Sequence, residues 1–98
     1  MTWRRDARGD EPAALTAAAE FSGKRILEVG CGEGRLTWVL ARSGASVLGI
    51  DPNEESIETA RATTPAELAE RVEFRVASAE QLDVPPARFD IAFLSWSL

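Results

Sequence analysis

The chain has 98 residues, enough for one small domain, and its 28% of charged residues give a net charge of −5. The acidic balance argues against a nucleic-acid surface, and one cysteine without any histidine excludes an internal disulfide, a cysteine-rich zinc site and a Ser-His-Asp triad. Because no apolar run approaches a membrane span and no signal-peptide pattern opens the chain, a cytoplasmic location without membrane contact is expected.

The N-terminal segment combines a basic cluster with an alanine-rich stretch. The cluster is Arg4, Arg5 and Arg8, and it is expected to be a solvated end without regular structure. Residues 10–21, with the sequence DEPAALTAAAEF, predict a helix, because an aspartate can cap it and the alanines favour its propagation.

Strand and helix patterns alternate along the rest of the chain. Strands are predicted over 25–30, 46–51, 72–77 and 89–98, helices over 34–43 and 53–63, and a short helix from a capping box over 64–71. This alternation predicts an α/β domain with a parallel sheet. Only the third predicted strand alternates polar and apolar residues, which places it at an edge. Because sequential strands usually neighbour each other through right-handed crossovers, the predicted order is 3-2-1-4.

Three glycines, Gly30, Gly32 and Gly34, follow the first predicted strand and lead into a helix. Their bare backbone allows a sharp turn and a close approach to a ligand, at the switch point where open α/β sheets bind ligands. Asp51 ends the second predicted strand, where an acidic side chain can accept hydrogen bonds from a ribose diol; its alternative role is to cap the following helix. Together these residues predict a nucleoside-containing cofactor.

Two further residues distinguish between classes of cofactor. The dinucleotide fingerprint is G-x-G-x-x-G, and Arg35 stands where its third glycine would be. Glu28 lies inside an apolar strand, where a carboxylate is unfavourable without a partner. Its negative charge would repel a pyrophosphate and attract a cation, so the pair favours a cationic cofactor over a nicotinamide dinucleotide.

At this point the sequence resembles a known family. The segment LEVGCGEGRLT is similar to the first motif, [D/E]-x-G-x-G-x-G, of class I S-adenosylmethionine-dependent methyltransferases. GIDPNEESIETAR, VASAEQLDV and FDIAFLSWSL resemble the second, third and fourth motifs, so the resemblance covers residues 24–98. It implies a Rossmann-like sheet of seven strands in the order 3-2-1-4-5-7-6, of which this chain would supply four. Residues 1–98 are therefore expected to form a single partial domain, truncated after the cofactor-binding half.

The resemblance also implies roles for individual residues. No metal site is expected, because the chain has one cysteine and no histidine. The glycine loop around Cys31 should border the methionine part of the cofactor, Glu28 should anchor its amino end partly through water, and Asp51 should accept from the ribose. Pro52 and the third-motif residues would lie by the adenine, and Ser95 with Trp96 by the methyl-transfer side. The implied cofactor-binding set is Glu28, Gly30, Cys31, Gly32, Asp51, Pro52, Ser78, Ala79, Glu80 and Ser95.

The implied activity is methyl transfer from S-adenosylmethionine to a small-molecule acceptor, with the catalytic residue unidentified. The chain alone is expected to be inactive, because the second half of the family fold usually supplies the acceptor-binding walls. A non-catalytic nucleoside-binding or interaction module and a fragment of an NAD-dependent oxidoreductase are the alternatives. The apolar fourth strand is expected to have an uncovered outer edge, through which the chain would self-associate.

Overall fold

The computed structural model describes residues 2–5, 21–81 and 88–94. These residues form a parallel sheet with helices in the connections between its strands. Its elements are β1 (Thr2–Arg5), β2 (Arg25–Val29), α1 (Arg35–Arg42), β3 (Ser46–Asp51), α2 (Glu54–Thr63), β4 (Val72–Val76) and β5 (Ile91–Leu94). The strand order is β1-β5-β2-β3-β4, and every neighbouring pair is parallel. The predicted helix over 10–21 lies outside the described residues except for Phe21, and so does the end of the fourth predicted strand.

The predicted α/β topology is confirmed. The run β4-β3-β2-β5 is the predicted order 3-2-1-4, with the alternating third strand at the edge of the sheet. On β4 only Phe74 is buried, whereas Val76 is 45% exposed, as expected for a strand with one outer edge. The order places the carboxyl ends of β2 and β3 side by side, with that of β4 next to β3.

β1 corrects two expectations about the N-terminus and the sheet edge. Arg4 and Arg5 belong to a strand that pairs with β5, from Thr2 beside Ile91 to Arg5 beside Leu94, and are not part of an unstructured end. The outer edge of β5 is therefore paired along Ile91–Leu94, and the expectation of an uncovered edge is wrong. The physical reason is that unpaired N–H and C=O groups on an apolar strand attract an extended segment, and the N-terminus of the same chain provides it.

Both helices pack on one face of the sheet. Leu36 and Leu40 of α1 join Ile26 and Val47 in one apolar cluster, and α2 contributes to a neighbouring cluster around Phe74. The buried face of α1 includes Thr37 as well as the leucines, whereas Val39 is half-buried and packs at the margin of the cluster. A separate apolar cluster on the opposite face contains Leu27, Leu48, Ile50 and Ala92.

The helix ends confirm one predicted cap and correct another. The Asn53 side chain accepts a hydrogen bond from the Ser56 N–H at 3.0 Å and caps α2 as predicted. The capping box predicted at Thr64 is wrong, because its hydroxyl instead donates to the Ala60 carbonyl at 2.7 Å and only a short 3-10 turn follows. Pro65 disfavours helical backbone at the preceding residue, which explains the interruption. No helix in the described part of the chain has the length and apolar character needed to cross a membrane.

Candidate functional site

The glycine loop is fastened to the end of β3 by its own backbone. The N–H groups of Gly30 and Cys31 both donate to the Ile50 carbonyl, at 2.8 and 3.0 Å. The next N–H, that of Gly32, donates to the Asp51 carboxylate at 3.0 Å. Three consecutive loop amides are thus directed at the neighbouring strand, which holds the loop across the carboxyl ends of β2 and β3.

The three glycines of the loop serve different purposes. All have positive φ, which favours glycine, at 78° for Gly30, 57° for Gly32 and 99° for Gly34. A Cβ at Gly34 would approach the Phe74 ring at 3.0 Å and the Trp38 indole at 3.3 Å, so this glycine is also needed for packing. A Cβ at Gly32 would meet nothing within 4 Å. Gly32 therefore faces open space, where a ligand could approach the backbone.

Asp51 connects the loop with the start of the next helix. One carboxylate oxygen accepts the Gly32 N–H, and the other accepts the Asn53 N–H at 2.8 Å. The side chain is half-buried at the carboxyl end of β3. Each carboxylate oxygen has two lone pairs, so these two bonds leave acceptor capacity for hydroxyl groups of a ligand. This geometry is compatible with both roles considered for Asp51 in the sequence, namely a cap for the following helix and an acceptor for a ribose.

Glu28 is completely buried beneath the loop, and its partner was missed in the sequence. Its carboxylate accepts a hydrogen bond from the hydroxyl of Thr37, which is also completely buried. Burial without a donor would be unfavourable for a carboxylate, and this bond supplies one. The sequence does contain an indication of this partner, because Thr37 is a polar residue on the apolar face of a helix, next to Leu36 and Leu40.

The side chain of Cys31 is committed to packing. It is 7% exposed and lies in the cluster with Ile57 and Phe74, over the space left by Gly49. Burial raises the pKa of the Cys31 thiol, and the nearby charges of Glu28 and Asp51 raise it further. The thiol is thus kept protonated and is unsuited to act as a nucleophile.

The third-motif segment reaches the same edge of the sheet. The Ala77 N–H donates to the Asp51 carbonyl at 3.1 Å, which holds the end of β4 beside the end of β3. The N–H and hydroxyl of Ser78 both donate to the side-chain oxygen of Gln81, at 3.1 and 3.2 Å, a partner that the sequence did not indicate. Ala79 and Glu80 are exposed in a 3-10 turn. This turn borders the site at its outer side.

Ser95 is the one member of the predicted cofactor-binding set that lies outside the described residues. Trp96, predicted beside it, also lies outside them. The other nine residues lie at or directly after the carboxyl ends of β2, β3 and β4. Glu28 is the next-to-last residue of β2, and Asp51 is the last residue of β3. Pro52 is exposed directly after β3. The described chain therefore brings the predicted residues to one edge, with Thr37 and Gln81 added as supporting partners.

A cavity of about 490 Å³ lies elsewhere, at the amino ends of the strands, and no residue of the glycine loop lines it. Its charged lining is partly neutralised internally, because Arg25 pairs with Asp90 at 3.3 Å and Arg75 with Glu73 at 2.6 Å. Hydrogen bonds from Arg25 hold the pKa of Asp90 below its usual value.

No group of acidic or cysteine side chains among the described residues could hold a metal ion. The carboxyl edge is thus the stronger candidate for a cofactor.

Comparisons with known proteins agree with this geometry. A family model described as a methyltransferase domain matches residues 26–98. The chain is 50% identical over 62 residues to the mitochondrial ubiquinone biosynthesis O-methyltransferase of Homo sapiens, covering 61% of this chain and 17% of that protein. It is 43% identical over 75 residues to the ubiquinone biosynthesis O-methyltransferase of Rhizobium rhizogenes, covering 76% of this chain and 30% of that protein.

A solved structure shows the same arrangement of elements. An S-adenosylmethionine-dependent methyltransferase from Mesorhizobium loti superposes with a TM-score of 0.70 at 34% identity, over 86% of this chain and 37% of that one. The chain therefore spans less than a third of the two curated relatives and little more than a third of this structure.

Proposed function

The chain belongs to the class I S-adenosylmethionine-dependent methyltransferases, of whose methyltransferase domain it represents a partial, N-terminal portion, and we propose that it supplies the cofactor-binding part of such an enzyme. S-adenosylmethionine is the cofactor of this family. One observation carries the proposal: a glycine loop with an open side at Gly32 is fastened to the Asp51 carboxylate, directly above a buried glutamate.

The directions of the loop amides support this cofactor against a dinucleotide. A pyrophosphate is normally held by N–H groups of the glycine loop and the following helix N-terminus. Here the amides of Gly30, Cys31 and Gly32 donate to β3, and that of Gly34 donates to the Cys31 carbonyl at 3.1 Å. The buried Glu28 carboxylate beneath the loop would repel a phosphate and attract a sulfonium or ammonium group. The donor set therefore fits a cationic nucleoside.

We assign the parts of the site as follows. Glu28 and the loop from Gly30 to Gly32 hold the methionine portion, and Asp51 accepts from the ribose hydroxyls. Pro52 and residues 78–80 border the adenine. The bound cofactor supplies an already electrophilic methyl group, so the task of these residues is to bind and orient it.

The acceptor is proposed at a coarser level. The relatives named above are O-methyltransferases of ubiquinone biosynthesis, which supports a small-molecule acceptor for the whole protein. Since the chain spans 17% and 30% of these relatives, we propose that these 98 residues alone bind the cofactor without transferring its methyl group.

A matched pair of glycine variants tests the binding site. Gly32 and Gly23 both have positive φ, at 57° and 75°, and a Cβ at either position would meet nothing within 4 Å. Gly32→Ala and Gly23→Ala should therefore impose similar backbone strain, of about 1 kcal/mol. Only the Gly32 variant adds a methyl group in the proposed site. We expect calorimetry to show S-adenosylhomocysteine binding to wild type and Gly23→Ala, with at least tenfold weaker binding to Gly32→Ala.

Titration of NAD provides the comparison between cofactor classes. We expect no NAD binding to the wild-type chain under the conditions in which S-adenosylhomocysteine binds. Tighter binding of NAD would contradict the proposed function. Equal losses of S-adenosylhomocysteine affinity in the two glycine variants would instead show that backbone strain, and not contact at Gly32, controls binding.

A further inference from the structure

Two buried polar side chains, one before the glycine loop in the sequence and one after it, are joined by a hydrogen bond. In the described part of the chain, Glu28 and Thr37 are the polar side chains that are fully excluded from solvent. Glu28 lies in β2 two residues before Gly30, and Thr37 lies in the first turn of α1 after the loop. The Thr37 hydroxyl donates to the Glu28 carboxylate across a separation of nine residues. One hydrogen bond thus joins the strand that enters the loop to the helix that leaves it.

The direction of the Thr37 hydroxyl differs from the usual one for a threonine in or at the end of a helix. Such a hydroxyl commonly donates to the carbonyl three or four residues earlier. Thr63 and Thr64 do so around the end of α2, donating to the carbonyls of Thr59 and Ala60 at 2.8 and 2.7 Å. Thr37 instead donates to a carboxylate on another element. Its hydroxyl is therefore used to hold Glu28.

The orientation of the Glu28 carboxylate depends on its hydrogen-bond donors within the protein, because the side chain is completely buried and has no contact with solvent. A buried carboxylate adopts the position in which donors are available, and losing a donor changes both its solvation and its rotamer. The loop that Glu28 supports is attached on its other side to β3 through Ile50 and Asp51. Thr37 thus contributes to fixing where negative charge lies beneath the loop.

We propose that Thr37 is a positioning residue, which orients Glu28 toward the amino end of the cofactor and leaves the nucleoside end unaffected. This inference rests on the proposed function, because it concerns the same site. It predicts a selective effect, in which ligands with the amino-acid portion depend on the Thr37 hydroxyl and ligands without it do not.

Two ligands and two variants test the selectivity. S-adenosylhomocysteine carries the amino-acid portion, whereas 5′-methylthioadenosine has the same nucleoside without it. Thr37→Val removes the hydroxyl at nearly constant volume, and Thr37→Ser retains a hydroxyl. By calorimetry we expect Thr37→Val to weaken S-adenosylhomocysteine binding about tenfold, the usual scale for a hydrogen bond to a charged group, and methylthioadenosine binding less than twofold. Thr37→Ser should restore most of the loss.

A second pair of variants covers the case in which Thr37→Val does not fold. Glu28→Gln removes the buried charge, so the double variant Glu28→Gln with Thr37→Val does not bury a carboxylate that has lost the Thr37 hydroxyl. If Thr37 acts through Glu28, adding Thr37→Val to Glu28→Gln should change S-adenosylhomocysteine affinity less than twofold. A tenfold loss in that background would overturn the inference and assign Thr37 a purely structural role.

The failures of the two proposals are distinguishable. Equal losses for both ligands in Thr37→Val, or no loss for either, would overturn the positioning role and leave the proposed function standing. Absence of S-adenosylhomocysteine binding by the wild-type chain would overturn the proposed function and this inference with it.

Discussion

At the scale of single residues, Asp51 makes two contacts that the resemblance did not imply. Its two carboxylate oxygens accept from Gly32 in the loop and from Asn53 at the start of α2. A ligand that binds Asp51 would therefore contact the group that already holds the loop in place. Such a ligand would couple binding to the order of the loop through one side chain, which a cap role alone would not produce.

A comparison of Asp51→Ala with Asn53→Ala tests this coupling. Asp51→Ala removes the acceptor for the loop and for a ribose, and we expect the affinity for S-adenosylhomocysteine to fall by about 1–3 kcal/mol. Asn53→Ala removes the side-chain cap of α2, and we expect it to lower the free energy of unfolding by about 1 kcal/mol with unchanged affinity. Calorimetry and urea unfolding measure the two quantities. Unchanged affinity in Asp51→Ala would reduce Asp51 to a turn residue.

The buried thiol of Cys31 predicts a pH dependence of stability. Its pKa in the folded chain is raised above the ordinary thiol value of about 9, first by burial and then by Glu28 and Asp51. Above that pH the unfolded chain loses the thiol proton while the folded chain keeps it, so the unfolded state binds fewer protons. The free energy of unfolding should therefore decrease as the pH rises, by up to about 1.4 kcal/mol per unit from this group.

The Cys31→Ala variant isolates this contribution. Other groups that titrate in the alkaline range are shared with wild type, so the difference between the two chains reports the thiol. Urea unfolding from pH 8 to about pH 10.5 should show a steeper decline for wild type than for Cys31→Ala. Parallel curves would mean that the thiol ionises equally in both states and is not protected by the fold.

At the scale of elements, β1 changes the interpretation of the whole sheet. It pairs with β5 along Ile91–Leu94 and becomes the edge strand itself. The N–H and C=O groups on the outer side of β5 are thereby paired within the chain. The edge at β4 is similarly interrupted, because the Arg61 side chain donates to the Phe74 carbonyl at 2.7 Å. Among the described residues, β1 therefore covers β5, and Arg61 occupies one carbonyl on the outer side of β4.

Proline substitution in β1 tests its protective role. Trp3→Pro combined with Arg4→Pro removes two adjacent N–H donors, at least one of which faces β5 in a parallel pair. We expect β5 to become exposed and the average mass in sedimentation to increase with concentration. The control is Trp3→Ala with Arg4→Ala, which retains both N–H groups and should sediment as wild type. Concentration-independent monomers in the proline variant would show that β1 does not protect β5.

At the scale of the whole molecule, parallel topology determines where chemistry is possible. The described strands all run in the same direction, so the loop after β2, Asp51 at the end of β3 and the turn after β4 lie close together although they are distant in sequence. The opposite edge carries a structural contact, in which the Arg25 N–H and guanidinium both bond to Asp90. The Arg25–Asp90 contact thus stabilises the amino ends of the described strands, and the predicted site residues lie at the carboxyl ends.

Local signals account for the part of the fold that was predicted correctly. β3 and α2 agree with prediction within one residue, because an apolar run, the cap at Asn53 and the acidic first turn of α2 all lie within the segment itself. The topology also followed, since right-handed crossovers and the alternation of the third predicted strand leave one order for the four. The failed capping box at Thr64 shows the limit, because Pro65 overrode the pattern.

The sequence by itself determined the fold class, the position of the glycine loop and the family, because these depend on the order and spacing of residues along the chain. Only the tertiary structure decided that Thr37 holds Glu28, that Gly32 donates to Asp51 and that the N-terminal strand covers β5. Each of these is a pairing between separate elements. Thr2 and Ile91 are paired across nearly the whole chain, and neither has a local pattern that names the other. Such pairings are selected by packing and by the need to satisfy buried polar groups, which act only once the chain is folded.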